Sequence, residues 1–170
     1  MQVKSVRNRG ERSKMRKALG AVLSLIPLLL SGQADDFLKI EGAVLPKTLS
    51  RGEEGAIILR ITVPQDLTII PHPVFTIEFK PCPELVFPKN FFTASDLEIE
   101  TQEAEGGEIL ILKAPIRIPF TVNLEAARGS HILEGRIKYS ARSRKDGWLV
   151  KTSSKFFASF STRTTVVRKK

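Results

Sequence analysis

Residues that could bind a metal ion or act as nucleophiles are few and widely separated in this chain. It contains two histidines, His72 and His131, and one cysteine, Cys82. The histidines are 59 residues apart, so neither belongs to a closely spaced ligand pair of the kind that zinc sites use. The sequence has no G-x-S-x-G nucleophile elbow and no glycine-rich phosphate loop. We therefore predict no metal site, no cofactor and no catalytic residue.

Cys82 is the one side chain with clear nucleophilic potential. It lies between two prolines in "PCP", which hold the backbone extended and deny the thiol a helix N-terminus. Without a helix dipole or a nearby cation, its pKa is expected to stay at about 8.5. We interpret Cys82 as a small, partly buried residue. The alternative is a lone reactive thiol, or a mixed disulfide with a partner, because a single cysteine cannot form an internal disulfide.

The first 34 residues have the three-part pattern of a secretory signal peptide. A basic leader, "MQVKSVRNRGERSKMRK", precedes the 13-residue apolar run "ALGAVLSLIPLLL" and the small-residue segment "SGQA". The apolar run contains Pro27 and is shorter than the roughly 20 residues that cross a bilayer, which disfavours a membrane anchor. We predict cleavage after Ala34, a single mature domain over residues 35–170 without a membrane span, and a periplasmic or secreted location.

Removal of the leader changes the charge balance. The whole chain has 27 basic and 18 acidic side chains, a net charge of +9. Residues 35–170 keep 20 basic and 17 acidic side chains, or +3, so a nucleic-acid-binding function is not predicted. The charge is unevenly distributed, because residues 136–170 carry 11 basic side chains and one acidic one. This asymmetry suggests that the C-terminal third of the chain faces something anionic, or the acidic half of its own fold; the alternative is a solvated face with a basic tail.

Alternation of period two dominates the mature chain. In "GAIILRITV", Ile57, Leu59 and Ile61 share one face while Arg60 lies on the other. Similar alternation occurs in "IRIPFTVN", "HILEGRIKY" and "KFFASF", and Gly and Pro clusters separate these segments. Seven to nine short strands with one polar face each predict an all-β protein, an immunoglobulin-like antiparallel β-sandwich.

The acidic segment near residue 100 allows two structures. In "DLEIET", a strand would place Asp96, Glu98 and Glu100 along one water-facing side. The overlapping segment "FTASDLE" could instead form a single helical turn. Neither structure requires a catalytic carboxylate pair.

The last third of the chain resembles a known family. Residues Tyr139 to Phe160, "YSARSRKDGWLVKTSSKFFASF", form a predicted hairpin, and Gly135 and Tyr139 match a Gly-x-x-x-Tyr strand. This pattern resembles the N-terminal periplasmic domain of the thiol:disulfide interchange protein DsbD, over about residues 105–160. In that family two cysteines follow the strand. Arg142 occupies the first cysteine position here, and Trp148 occupies the second.

The resemblance implies an immunoglobulin-like sandwich outside the cytoplasmic membrane, with the redox chemistry absent. Dithiol exchange needs two sulfurs within bonding reach, and Arg142 and Trp148 supply none. The chain is then expected to be an exported, non-catalytic binding or adaptor domain. Alternatives are an unrelated secreted β-sandwich, of adhesion or chaperone-like type, that pairs strands at an exposed edge, or a thiol protein acting through Cys82.

The connection of the predicted hairpin is the candidate binding site. Arg142, Arg144 and Lys145 form a cationic loop with Trp148, and arginine and tryptophan are common anchors in interfaces. The predicted partner is an envelope protein with an acidic patch, or an anionic envelope surface. The alternative is a solvated turn, in which Asp146 and Gly147 supply the turn chemistry and Trp148 folds into the sandwich.

Overall fold

The alternating segments form twelve β-strands, and the described part of the chain has no helix. The computed structural model describes residues 37–72 and 75–163. Its strands are β1 (Lys39–Leu45), β2 (Thr48–Ser50), β3 (Glu54–Thr62), β4 (Leu67–Ile70), β5 (Thr76–Phe79), β6 (Leu85–Val86), β7 (Phe91–Thr93), β8 (Thr101–Ala104), β9 (Gly107–Leu110), β10 (Ile116–Val122), β11 (Gly129–Ser143) and β12 (Leu149–Arg163). The predicted signal peptide (residues 1–34) and the basic tail from residue 164 lie outside the described residues.

The prediction of seven to nine strands is too low. Strands β2, β6 and β7 have only two or three residues each, too few to show an alternating pattern. In addition, β4 and β5 are two halves of one strand position, since both pair with β11. The connection between them contains the "PHP" sequence, which cannot supply a regular ladder of donors.

The strands form two facing sheets and a separate hairpin. Sheet 1 has the order β1-β3-β10-β6, and sheet 2 has the order β2-β12-β11-β5-β7 with β4 also on β11. The hairpin consists of β8 and β9. All pairings are antiparallel except that of β2 with β12. In immunoglobulin letters, sheet 1 is A-B-E-D and sheet 2 contains G-F-C, so the predicted immunoglobulin-like antiparallel β-sandwich is confirmed. One departure is that the chain reaches β6 in sheet 1 before it returns to sheet 2 for β7.

The predicted apolar faces form the core between the two sheets. The four long strands each contribute a row of buried side chains, as their alternation predicts: Ile57, Leu59 and Ile61; Ile116, Ile118, Phe120 and Val122; Leu133, Ile137 and Tyr139; Phe156, Ala158 and Phe160. The charged residues between them, such as Arg60 and Arg136, are exposed. The hydroxyl groups of Tyr139 and Ser154 lie 2.9 Å apart and satisfy each other inside the core.

Of the two structures that the acidic segment allows, the strand "DLEIET" is wrong at its start, and the single helical turn within "FTASDLE" is confirmed. The side chain of Asp96 accepts the Thr93 backbone N–H, and Thr93 Oγ1 accepts the Asp96 N–H, which is a capping box. The turn ends with Glu98 at φ 51°, and Ile99 N–H donates to Ala94 O at 3.0 Å. This is a Schellman cap, in which the residue in the left-handed conformation is usually glycine. Strand β8 begins only at Thr101, so local capping outweighs alternation here.

Replacing Glu98 by glycine is expected to stabilise the protein by about 0.5–1 kcal/mol. A left-handed backbone disfavours a side chain but suits glycine, which more than offsets glycine's greater freedom in the unfolded chain. Glu100→Gly is the matched control, because it lies two residues away without a positive φ and should destabilise. Urea unfolding of both variants checks the opposite signs, and a destabilised Glu98→Gly variant would contradict the capping role.

Candidate functional site

The turn between β11 and β12 is an ordered structure with its own hydrogen bonds. Ser143 N–H donates to Trp148 O at 2.9 Å, and Gly147 N–H donates to Ser143 O at 3.2 Å. Gly147 has φ 71°, a conformation that glycine adopts without strain. Arg144 N–H donates to Asp66 O at 2.8 Å, which ties the turn to the loop before β4. The predicted hairpin therefore exists, and Asp146-Gly147 supplies turn chemistry as expected.

The four predicted binding residues have different environments. Arg142 is half-buried, and its guanidinium donates to Gly106 O in the β8–β9 turn. Trp148 is 39% exposed, and its ring lies 5.7 Å from that of Phe37, so it is neither free nor folded into the core. Arg144 and Lys145 are exposed, and neither has an ion pair among the described residues. The free part of the predicted cationic loop is thus Arg144 and Lys145, beside one partly exposed tryptophan.

The positions that the resemblance matches to a cysteine pair lie at the same end of the hairpin. Arg142 is paired with Leu149 across the ladder, next to Trp148 in sequence. Gly135 is paired with Phe156. A Cβ on Gly135 would lie 2.2 Å from Phe156 Cζ, so this ring covers the glycine. The glycine of the matched strand is therefore explained by cross-strand packing, with no reference to redox chemistry.

A larger basic surface extends from the turn along the outer side of sheet 2. Arg136 on β11 lies directly opposite Lys155 on β12, and alternation places Lys138 and Lys151 on the same outer side. We call Arg136, Lys138, Lys151 and Lys155 the basic face. Lys138 Nζ is 2.6 Å from Glu78 Oε1, which neutralises one of the four charges.

Two members of the basic face, Arg136 and Lys155, lie directly opposite each other across the β11–β12 ladder. Arg136 and Lys155 are exposed, and neither forms an ion pair within the described ranges. The nearby Glu134 is held by Lys80 at 2.7 Å, and this contact lowers the pKa of Glu134. Like charges directly opposite in a sheet cost stability, on the order of 0.2–1 kcal/mol. Two carboxylates moderate this repulsion: Glu78 lies opposite Arg136 on the other side of β11, and the charges of Lys155 and Arg136 help to lower the pKa of Glu134.

Apolar side chains accompany the charges on the same outer side. Phe157 is 57% exposed and lies opposite Glu134, and Ile132 is 72% exposed and lies opposite Ser159. Phe91 on β7, opposite Glu78, is also exposed. The outer side of sheet 2 thus exposes aromatic and aliphatic groups among its cations. This composition is typical of an interface rather than of an ordinary solvated sheet.

Sequence reasoning missed the basic face as a surface. The excess of basic residues after residue 136 was visible, and alternation pointed Arg136 and Lys138 outward. The pairing of Arg136 with Lys155 depends on the register, which the turn after Ser143 sets. Counting the same number of residues along both strands away from that turn could have located the pair in the sequence.

Cys82 belongs to a small polar cluster that the sequence did not indicate. Its Sγ donates to Glu84 Oε2 at 3.3 Å, and Glu84 Oε1 lies 3.6 Å from His131 Nδ1. The other ring nitrogen of His131 lies 2.9 Å from Thr162 Oγ1, and the ring stacks on Phe160 at 5.0 Å. The carboxylate therefore stands between thiol and imidazole, so the described contacts contain no Cys–His dyad.

The environment of Cys82 raises its pKa, and the expectation of an ordinary value near 8.5 is wrong. Partial burial, followed by the hydrogen bond to Glu84, raises the pKa of the thiol to about 11. The thiolate is the nucleophilic form, so the raised pKa lowers the reactivity of Cys82 at neutral pH. Partial burial, as predicted for a small packed residue, is confirmed.

Alkylation of native Cys82 at pH 8 is expected to be about 100-fold slower than that of the unfolded chain, because its pKa is about 11 rather than 9.0. Glu84→Gln should accelerate the native reaction, since a charged acceptor beside the thiol opposes its ionisation. Glu134→Gln, on β11, is the control and should leave the alkylation rate of Cys82 unchanged. Equal rates for the native and guanidinium-unfolded chain would contradict the raised pKa.

Two further searches concern only residues 37–72 and 75–163. No group of three or more His, Cys, Asp or Glu side chains in these ranges is arranged to hold a metal ion. The same ranges contain no helix with the length and apolarity needed to cross a bilayer.

Comparison with known proteins gives likenesses of fold. No protein-family model matches the chain, and no curated protein matches its sequence. The seventh ScaB type I cohesin from Pseudobacteroides cellulosolvens is 14% identical, over 77% of this chain and 96% of the cohesin, with a TM-score of 0.36. The cohesin module of a family 33 glycoside hydrolase from Clostridium perfringens is 12% identical, over 74% of this chain and 96% of the module, also with a TM-score of 0.36. The major pilin subunit BcpA of Bacillus cereus is 9% identical, over 72% of this chain and 40% of the pilin, with a TM-score of 0.38. Because these identities and TM-scores are low, the immunoglobulin-like assignment rests on the strand order of the chain itself.

Proposed function

We propose that this chain is an exported, non-catalytic protein-binding module that docks an acidic surface of a partner protein. The binding surface consists of the basic face together with Arg144 and Lys145 of the adjoining turn. The observation that carries the proposal is the opposed pair Arg136 and Lys155, which has no ion pair within the described ranges. The nearby carboxylates Glu78 and Glu134 are already bound by Lys138 and Lys80, so a partner carboxylate placed at this pair adds attractions that the free chain supplies only in part.

The exposed apolar groups favour a protein partner over a purely anionic polymer. Phe157 and Ile132 expose more than half of their side chains on the same side as the charges. Burial of such groups contributes roughly 25 cal/mol per Å² of apolar surface, and a polysaccharide or polyphosphate offers little surface of that kind. The partner is thus expected to present carboxylates around an apolar centre.

The resemblance to the DsbD domain supports an adaptor rather than a redox role. Arg142 and Trp148 occupy its cysteine positions, and Cys82 has a raised pKa with a carboxylate beside its sulfur. Neither the hairpin nor Cys82 supplies the pair of thiols that exchange requires. Export is supported by the pattern of the first 34 residues.

Strand addition at the free edge of β10 is the less favoured mode of binding. Strand β6 covers only Thr121 and Val122 of β10, which leaves the edge open toward Ile116. Asn123 N–H donates across this edge to Glu84 O at 2.8 Å, so by alternation residues 117, 119 and 121 also face it. One of these is Pro119, which has no N–H to donate, and proline at this position is a common protection of sheet edges.

Charge reversal on the basic face is the test of this function. Arg136→Glu combined with Lys155→Glu is expected to weaken capture of acidic partners from an exported-protein extract by about tenfold per substitution, if each lost contact is worth about 1.4 kcal/mol. The control is Lys47→Glu with Lys113→Glu, which reverses two exposed charges outside the basic face. Capture by wild type should also fall as salt rises. An identical set of captured proteins for wild type and both variants would sink the proposal.

A second pair of variants separates the turn from the face. Arg144→Ala with Lys145→Ala should weaken capture less than the double reversal, because the turn lies toward the opposite end of the hairpin from the exposed Phe157 and Ile132. Arg142→Ala is expected to act through the fold instead, since it removes the contact with Gly106 O. A complete loss of capture in the turn variant, with the face variant unaffected, would relocate the site to the turn.

A further inference from the structure

The outer side of sheet 1 is apolar where a solvated sheet would be polar. Across the three long strands, Leu45 on β1, Ala56 on β3 and Pro119 on β10 lie side by side. Leu45 is 53% exposed, yet Ala56 is fully covered although alternation points it outward. The next row contains Ala43 and Ile58. The exposed apolar surface of this sheet therefore lies on β1 and β10, on either side of the covered Ala56.

This exposed apolar surface continues beyond β10 into a shallow groove. Val86 on β6 is 53% exposed, and Pro46 and Pro88 are exposed beside it. Leu45, Pro46, Val86, Pro88 and Pro119 are the exposed apolar residues that line the groove, which has a volume of about 560 Å³, and Glu54 and Arg117 also belong to its lining. We call these five apolar residues, with Ala43 and Ile58, the sheet 1 patch. A contiguous apolar surface on a soluble chain marks a contact that the isolated molecule does not satisfy.

Charges flank the patch, with opposite signs at its two ends. Glu54 is exposed at the start of β3. Arg60, six residues later on the same strand, and Arg117 on β10 are exposed at the other end. With a rise of about 3.3 Å per residue, Glu54 and Arg60 are about 20 Å apart along the strand. Glu41, opposite Arg60, is held by Lys39 at 2.9 Å, so the far end keeps a positive balance.

This separation of charge along the strands makes the surface complementary to itself. A two-fold axis that lies in the plane of contact and runs across the strands reverses the strand direction of the second copy. The acidic end of each copy then faces the basic end of the other, and the apolar centres meet. A uniformly charged surface could not do this, and the basic face of sheet 2 would repel its own copy.

We propose that a second copy of this chain packs on the sheet 1 patch in a two-fold symmetric dimer. Glu54 of each copy faces Arg60 and Arg117 of the other, and the sheet 1 patches pack together. The contact is made between side chains, because Pro119 removes the N–H that a continuous intermolecular sheet would use. Three strands supply a small interface, so the dimer is weak and reversible. Sheet 2 stays free in it, which leaves the acidic partner proposed above accessible.

Paired charge variants test the geometry. Variant one carries Glu54→Arg, which makes both ends basic, and variant two carries Arg60→Glu and Arg117→Glu, which makes both ends acidic. Sedimentation velocity of the purified full chain should show concentration-dependent dimerisation for wild type and monomers for each variant alone. An equimolar mixture of the two variants should dimerise again, because every end then meets its opposite. Restoration on mixing cannot come from misfolding.

Two further measurements complete the test. Leu45→Glu, an exposed position at the edge of β1, should abolish dimerisation while the thermal midpoint measured at low concentration changes little. Lys151→Glu with Lys155→Glu on sheet 2 should leave the dimer intact and weaken only partner capture, which separates this proposal from the function proposed above. A wild type that stays monomeric at the highest soluble concentration, or a mixture that fails to associate, would overturn the proposal.

Discussion

Replacing Gly135 by valine is expected to lower the free energy of unfolding by about 3 kcal/mol, at the upper end of the cost of overpacking a core. Gly135 is buried in β11, opposite Phe156 in β12. A Cβ at this position would lie 2.2 to 2.7 Å from three atoms of the Phe156 ring, which is closer than any real contact. The ring cannot turn away freely, because it also packs edge-on against Phe79 at 5.9 Å.

A double-mutant cycle with Phe156→Leu tests this explanation. The smaller side chain vacates the space above Gly135, so the valine should cost less in the Phe156→Leu background than in wild type. A coupling energy of about 1–3 kcal/mol is expected for two residues in contact. Urea unfolding with unchanged m-values is the measurement. If the losses of stability in the two single variants simply add in the double variant, contact with the Phe156 ring is not the reason why this position needs glycine, and backbone freedom is.

Packing against Phe156 thus explains the glycine to which the resemblance pointed, while no comparison links the chain to the DsbD domain itself. The strand containing Gly135 and Tyr139 could be predicted from the sequence. The burial of Leu133, Ile137 and Tyr139 could be predicted as well, because apolar and polar residues alternate along a long strand that has one buried face. The family function attached to that pattern depends on two sulfurs that the chain lacks. Packing motifs are shared more widely than the chemistry built on them.

Other parts of the fold could not be predicted or decided from the sequence, for identifiable physical reasons. Between Thr93 and Ile99 the sequence allowed either a strand or a helical turn, and the local capping hydrogen bonds decide for the turn. Lys89 contacts Asp96 and, together with the Thr93 N–H, lowers the pKa of this carboxyl to about 2, so the cap stays ionised in all but strong acid. Strand β6 has two residues and exists only because β10 offers it a partner.

The candidate site was predicted only in part, because the number of basic residues in a segment does not show which of them pair across the β11–β12 ladder. The excess of basic residues after residue 136 indicated an anionic partner, and the turn seemed the natural location. The long hairpin instead distributes these residues over one side of sheet 2, where Arg136 meets Lys155. The Cys82–Glu84–His131 cluster needed a contact across 47 residues of sequence, which no local spacing reveals.

Replacing Gly42 by valine is expected to be the second severe substitution, with a cost of about 2–3 kcal/mol. Gly42 lies on β1, opposite Leu59 of sheet 1, and its inward side meets β12 of sheet 2. A Cβ here would lie 2.7 Å from the carbonyl oxygen of Phe157. Because the obstacle is backbone rather than a rotatable side chain, relief requires β1 to move away from β12.

The matched control is Ala43→Val, the neighbouring position on the outer side of the same strand. It adds two methyl groups to an exposed residue and should change stability by no more than about 0.5 kcal/mol, measured at a concentration that keeps the chain monomeric.

Displacement of β1 in the Gly42→Val variant should have a second effect, since β1 covers the edge of β3 from Ala56 to Thr62. An uncovered strand edge of this length is a template for intermolecular pairing, so Gly42→Val should also aggregate on heating while Gly135→Val unfolds without that tendency. Comparable aggregation of the two variants would show that loss of stability alone, and not the exposed edge of β3, drives association.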